Sequence, residues 1–114
     1  MNLFELTRTL MDIPSVSGEE GEVGRFLATH LETLGYTVEL QEVEPGRANV
    51  LARTGARARV VLSTHMDTVP PSIPSREDAT HIHGRGACDA KGIIAAQLTA
   101  AARLRAEGIE ELGR

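Results

Sequence analysis

The sequence has one cysteine, Cys88, one lysine, Lys91, and no long unbroken run of apolar residues. A lone cysteine excludes an internal disulfide and fits a reducing, cytoplasmic setting. No stretch reaches the ~18 apolar residues of a membrane span, so no membrane partner is expected. The opening Met1-Asn2-Leu3-Phe4-Glu5 lacks a basic n-region and an apolar h-region, which argues against a secretory signal. Positive charge is scarce too: 12 Lys+Arg stand against 16 Asp+Glu, a net charge of −4. That balance argues against nucleic acid as a partner. Disorder is also excluded, because Leu, Ile, Val and Phe supply 28 of the 114 residues, more than the ~20% typical of unfolded chains. The length allows at most one compact domain.

The hydrophobic spacing predicts a first helix over residues 3–12, with Leu3, Leu6, Thr7 and Leu10 on one face. Asn2 and Glu5 have the spacing of a reciprocal N-terminal cap, and Ile13-Pro14 ends the helix. A second helix opens in Ser15-Val16-Ser17-Gly18-Glu19-Glu20, where Ser17 and Glu20 again have capping-box spacing. Its stripe is Val23, Phe26, Leu27, Leu31 and Leu34, and Gly35 is its stop. The period then changes to two. Tyr36, Val38 and Leu40 read as a half-buried strand, Glu44-Pro45-Gly46-Arg47 as a turn, and residues 49–53 as a second strand. Thr54-Gly55-Ala56-Arg57 has hairpin length, and Arg59–Thr64 reads as a central strand buried on both faces. A proline-rich irregular stretch and a short strand around Ile82 lead to a final helix over residues 90–107, closed by Gly108. The tail, 109–114, has no pattern of its own. Helices, then strands, then a crossover helix suggest a layered α/β domain. The last helix lacks the parallel strand that normally follows one, so the pattern looks unfinished.

Two short stretches carry chemistry. In Ser63-Thr64-His65-Met66-Asp67-Thr68-Val69-Pro70, a histidine and an aspartate come where the expected buried strand ends. Open α/β sheets place ligands at such carboxyl ends. An imidazole is a good zinc ligand, and a carboxylate that accepts its other N–H fixes the tautomer. The same residues could equally be a hydrogen-bonded pair in a loop. In Gly84-Arg85-Gly86-Ala87-Cys88-Asp89-Ala90-Lys91-Gly92, Asp89 precedes the last helix and could be an ordinary N-cap. Lys91 fits that reading poorly, since a cation in the first turn opposes the helix dipole by roughly 0.3–1 kcal/mol, although it could simply be solvated. The glycines match neither the dinucleotide nor the phosphate-loop pattern.

Together these stretches resemble the M20 family of zinc-dependent metallopeptidases and deacylases, which includes acetylornithine deacetylase and succinyl-diaminopimelate desuccinylase. Ile13-Pro14-Ser15-Val16-Ser17-Gly18-Glu19-Glu20 is similar to the family's opening signature, His65–Pro70 to its first metal motif and Gly84–Gly92 to its second, in the right order. The resemblance implies a layered α/β/α zinc-peptidase-like catalytic domain with a mixed sheet. It implies that His65 binds one zinc, that Asp89 bridges two, and that Asp67 orients His65. Cobalt or manganese suit the same ligands. The implied reaction is hydrolysis of an amide bond in an N-acyl amino acid or small peptide, in amino-acid metabolism, by metal-activated water.

The sequence also departs from the family. The family's Glu-Glu pair follows a further strand, whereas Glu110-Glu111 directly follows the helix end, so neither is assigned to catalysis. The later ligands and the inserted lid and dimerisation domain are missing. The resemblance admits a homodimeric parent, but its dimer contacts belong to that missing domain. The chain therefore resembles the first third of a family member, incomplete and expected to be inactive alone. The alternative is a truncated, non-catalytic module that binds metal or a partner. A third reading adds His81 or His83 to His65 and Asp89 around a single zinc, although a surface position for both is expected. Cys88 is expected to be a small buried residue.

Overall fold

The computed structural model describes residues 1–55 and 57–108. Helix α1, Leu3–Met11, begins where the cap predicts: the Asn2 side chain accepts from the Glu5 N–H, and the Glu5 carboxylate accepts from the Asn2 N–H. Helix α2, Gly21–Thr33, ends as Gly35 predicts, in the left-handed region at φ +91°. There Tyr36 N–H reaches Leu31 O at 3.1 Å and Gly35 N–H reaches Glu32 O at 3.0 Å, the paired bonds of a Schellman stop. Strands β1, Thr37–Glu44, and β2, Arg47–Arg53, form an antiparallel hairpin around Pro45-Gly46. Two short strands, β3 (Arg76–Glu77) and β4 (Ile82–His83), pair antiparallel, and helix α3 runs from Lys91 to Ala106.

The chain is mixed α/β, as expected. α1 packs against α3, and α2 lies on the hairpin. Leu6 and Leu10, Val23, Leu27 and Leu31, and Ile94 and Ala95 meet in one core, with Val38, Val50 and Met66 packed on its edge. Each such buried Leu or Val contributes roughly 1.5–3 kcal/mol.

Three local expectations fail. The expected central strand Arg59–Thr64 pairs with no strand among the described residues, and Val61 is 80% exposed. Its apolar run supplies a face to bury but no ladder partner, and a strand needs both. Among the described residues β2 is paired to β1 alone, so the following loop joins it to no second hairpin strand there; Ala56 of that loop lies outside the described residues, as does the tail 109–114. The Ser17–Glu20 capping box does not form either. Glu20 occupies the cap position of α2 without a side-chain cap bond. Both residues are engaged elsewhere.

Candidate metal centre

The site begins with the chain leaving α1. Pro14 ends the helical path, and residues 15–17 run beside residues 66–68. Thr68 N–H donates to Ser15 O at 2.9 Å, Ser17 N–H donates to Thr68 O at 3.1 Å, and Val16 and Thr68 form a parallel bridge. The fully buried Ser15 hydroxyl donates to Met66 O at 2.8 Å. These bonds hold the loop that carries His65 and Asp67.

Within that loop, His65 Nδ1 lies 3.0 Å from Asp67 Oδ1 and 3.1 Å from Asp67 O. Both partners can only accept, so Nδ1 is the donor in this contact when it carries a proton. Nε2 points the other way, to Asp89 Oδ1 at 2.8 Å, across 24 residues of chain. The sequence-predicted trio of His65, Asp67 and Asp89 is thus brought together. Burial works against the charged imidazole, but the Asp89 and Asp67 acceptors outweigh it and hold the His65 pKa above its ordinary value. The Ser17 hydroxyl, ahead of His65, holds the Asp67 carboxyl below its ordinary range.

Asp89 is presented by the glycine turn. Gly92 N–H donates to Gly86 O at 3.2 Å, and Arg85 Nε donates to Pro71 O at 3.1 Å. A methyl group at Gly92 would run into the Ala87 carbonyl oxygen, so close approach requires glycine there. Asp89 is no N-cap: that position is Ala90, without a side-chain bond, and the Asp89 carboxylate is 81% exposed towards His65. Nor is Lys91 solvated. It is 1% exposed, its Nζ donates to Ile13 O at 2.7 Å, and burial lowers its pKa to about 8 against a smaller opposing effect of Asp12.

His65, Asp67, Arg85, Cys88 and Asp89 line a cleft of about 260 Å³. Cys88 is exposed rather than buried, because the turn directs residues 88 and 89 outward. His81 and His83 lie off the cleft lining. His83 Nε2 binds Asp78 Oδ2 at 2.8 Å, and the two rings stack at 5.6 Å. The three-ligand reading through either histidine is therefore not supported. Among the described residues, no group of three or more His, Cys, Asp and Glu is placed to hold a metal ion. His65 and Asp89 are donors of the right kind for zinc, cobalt or manganese, and they form a two-donor part of a site that needs more. Glu110 and Glu111 lie outside the described residues.

Sequence reasoning missed the Ser17–Asp67 contact. It also missed the link through Glu20, whose carboxylate accepts from Gly18 N–H and from Arg47 Nε. Ser17 and Asp67 lie 50 residues apart and Glu20 and Arg47 lie 27 apart, too far for local spacing to reveal.

The Asp78 turn makes a separate prediction. His83 first, then the N–H groups of Thr80 and His81, hold its carboxyl well below the usual range. A lowered carboxyl pKa stabilises the folded turn above its ordinary value near 3.8, and that contribution is lost as pH falls towards the lowered value. Asp78→Ala should speed amide exchange at Thr80 and His81 by about tenfold at pH 7. Unchanged exchange at both amides would remove the assigned role.

Residues 61–114 match the family model described as Peptidase family M20/M25/M40. The chain is 45% identical over 112 residues to a Peptidase M20 domain-containing protein of Schizosaccharomyces pombe, covering 94% of this chain and 28% of that protein. It is 44% identical over 115 residues to a probable carboxypeptidase of Emericella nidulans, covering 91% of this chain and 27% of that one. A probable carboxypeptidase of Uncinocarpus reesii is 37% identical over 123 residues, covering 86% and 28%. The chain spans little more than a quarter of the length of these curated relatives. The helices and short antiparallel sheets are consistent with an incomplete catalytic domain of this kind, and the chain carries part of a Peptidase M20 family domain.

Proposed function

We propose that this chain supplies the His65–Asp89 corner of a metal-dependent hydrolase that cleaves an amide bond in a small peptide or N-acyl amino acid. The observation that carries the proposal is the convergence of His65 Nε2 on Asp89 Oδ1 at 2.8 Å, with Nδ1 held by Asp67. His65 and Asp89 would hold the metal. Bound zinc, cobalt or manganese supplies water activation and carbonyl polarisation.

Asp67 keeps the His65 proton on Nδ1 and so leaves Nε2 as the donor atom. The buried Ser15 and Thr68 bonds hold this pair in register with Asp89. The general base and the remaining ligands lie outside the assigned residues, so the 114-residue chain alone is expected to be inactive. The names of similar proteins favour carboxypeptidase over deacetylase chemistry, and both break an amide at an amino-acid unit. A reducing, cytoplasmic setting belongs to the same proposal and rests on the lone Cys88.

The test is cobalt and zinc titration of the gene product, with hydrolysis of short peptides followed in parallel. His65→Ala and Asp89→Ala should each weaken metal binding by tenfold or more and abolish hydrolysis. Wild-type affinity in both variants would defeat the proposal. Metal binding lost in both variants, with no hydrolysis by the intact product, would favour the non-catalytic module instead.

A further inference from the structure

We propose that Ser17 is a positioning residue for the His65 imidazole: its hydroxyl claims one oxygen of Asp67 and leaves the other to fix His65. The inference rests on the metal-ligand reading of His65. A carboxylate turns about its Cβ–Cγ bond unless both oxygens are engaged, and Asp67 is more than a third exposed, so a partner on the second oxygen fixes the plane that it offers to the ring. Ser17 Oγ donates to Asp67 Oδ2, and Oδ1 is then the oxygen left for His65 Nδ1.

Ser17 itself is held firmly. Its N–H donates to Thr68 O at 3.1 Å, one residue beyond Asp67. The next residue, Gly18, donates its N–H to the Glu20 carboxylate, whose side chain is 8% exposed and takes Arg47 Nε of β2 at 3.0 Å. The hairpin, the turn before α2 and the histidine loop are thus joined in one series of contacts. A group hydrogen-bonded directly to a metal ligand, as Asp67 is to His65, typically changes metal affinity by about 10–100-fold when removed, and Ser17 acts through it one bond further out.

The test compares Ser17→Ala and Ser17→Thr with the wild-type gene product. Ser17 is exposed, and its backbone bond to Thr68 survives either change, so the fold should persist. In metal-free protein above the imidazole titration, Asp67 and Asp89 compete for the single His65 proton, and nitrogen-15 NMR reads the Nδ1–H share. Ser17→Ala should reduce that share and weaken cobalt binding by about three- to tenfold, less than loss of a direct partner of the ligand; Ser17→Thr should restore both. An unchanged tautomer share together with cobalt affinity within twofold of wild type would overturn the proposal. Failure of the metal reading would appear separately, as unchanged cobalt affinity in His65→Ala and Asp89→Ala. The tautomer spectrum needs no metal and would still decide the role of Ser17.

Discussion

Lys91→Ala is expected to lower the unfolding free energy by about 4 kcal/mol, the largest single effect on this chain. The reason is packing as much as charge. The Lys91 stem lies against Gly86, where an added Cβ would come within 3.1 Å of Lys91 Cδ, and the residue is 1% exposed. Truncating a buried side chain of this length costs about 2–5 kcal/mol. It also strips Ile13 O of its 2.7 Å donor, and an orphaned buried carbonyl costs roughly 1–3 kcal/mol. Loss of a buried charge returns part of this. Lys91→Met keeps the stem and drops the charge but also leaves Ile13 O without its donor, so its cost should be about 1–2 kcal/mol, below that of the alanine variant.

The pH dependence gives a second signature. The folded lysine titrates near 8 and the unfolded one near 10.5. Between those values the unfolded chain binds more protons, so stability rises with pH. Wild-type protein in chelator should gain stability over that window, and Lys91→Met should lack this gain. Urea unfolding of the three proteins at several pH values measures all of it. An alanine variant that loses less than about 1.5 kcal/mol would show that Lys91 does not tie the site together.

Gly92→Ala should both destabilise the protein and disable the site. Gly92 sits in the first turn of α3, where alanine is normally the better helix former by about 1 kcal/mol. Here its methyl would overlap the Ala87 carbonyl oxygen, a backbone atom that cannot rotate away. The turn bearing Cys88 and Asp89 must then move, and the 2.8 Å approach of Asp89 to His65 is lost. The expected cost is about 1–3 kcal/mol, with metal affinity down tenfold or more. Gly24→Ala is the control, because its added methyl would meet only side chains, the flexible Met66 tip from 3.4 Å and Val50 at 3.8 Å, in ordinary contact. Thermal melts and cobalt titration of both variants decide the matter: wild-type melting and affinity in Gly92→Ala would refute the assigned clash.

Signals confined to three or four residues were legible in the sequence. The Asn2–Glu5 cap, the Gly35 stop and the Pro45-Gly46 turn each appear where their chemistry placed them. His65, Asp67 and Asp89 could be singled out because their residue types and motif order are distinctive, and they do converge. Features decided by distant partners were not legible. Ser17 and Glu20 have capping-box spacing, yet Asp67 and Arg47 claim them from far along the chain. Val60, Val61 and Leu62 look like a buried strand, but burial needs a neighbour that their own composition cannot specify. Residue type left a solvated Lys91 open, and it is buried because its ammonium reaches a carbonyl 78 residues away.

The pairing of Ser15 with the Met66–Thr68 loop has a consequence for how the molecule is assembled. Ser15 and Met66 are 51 residues apart, and closing a flexible loop of that length costs roughly 3–4 kcal/mol of chain entropy. The β1–β2 hairpin closes over Pro45 and Gly46 alone. The hairpin and helices are therefore expected to order before the His65 loop finds its seat. Anything gripped by both His65 and Asp89 would hold that late closure shut, and so stabilise the whole fold in step with the logarithm of its concentration.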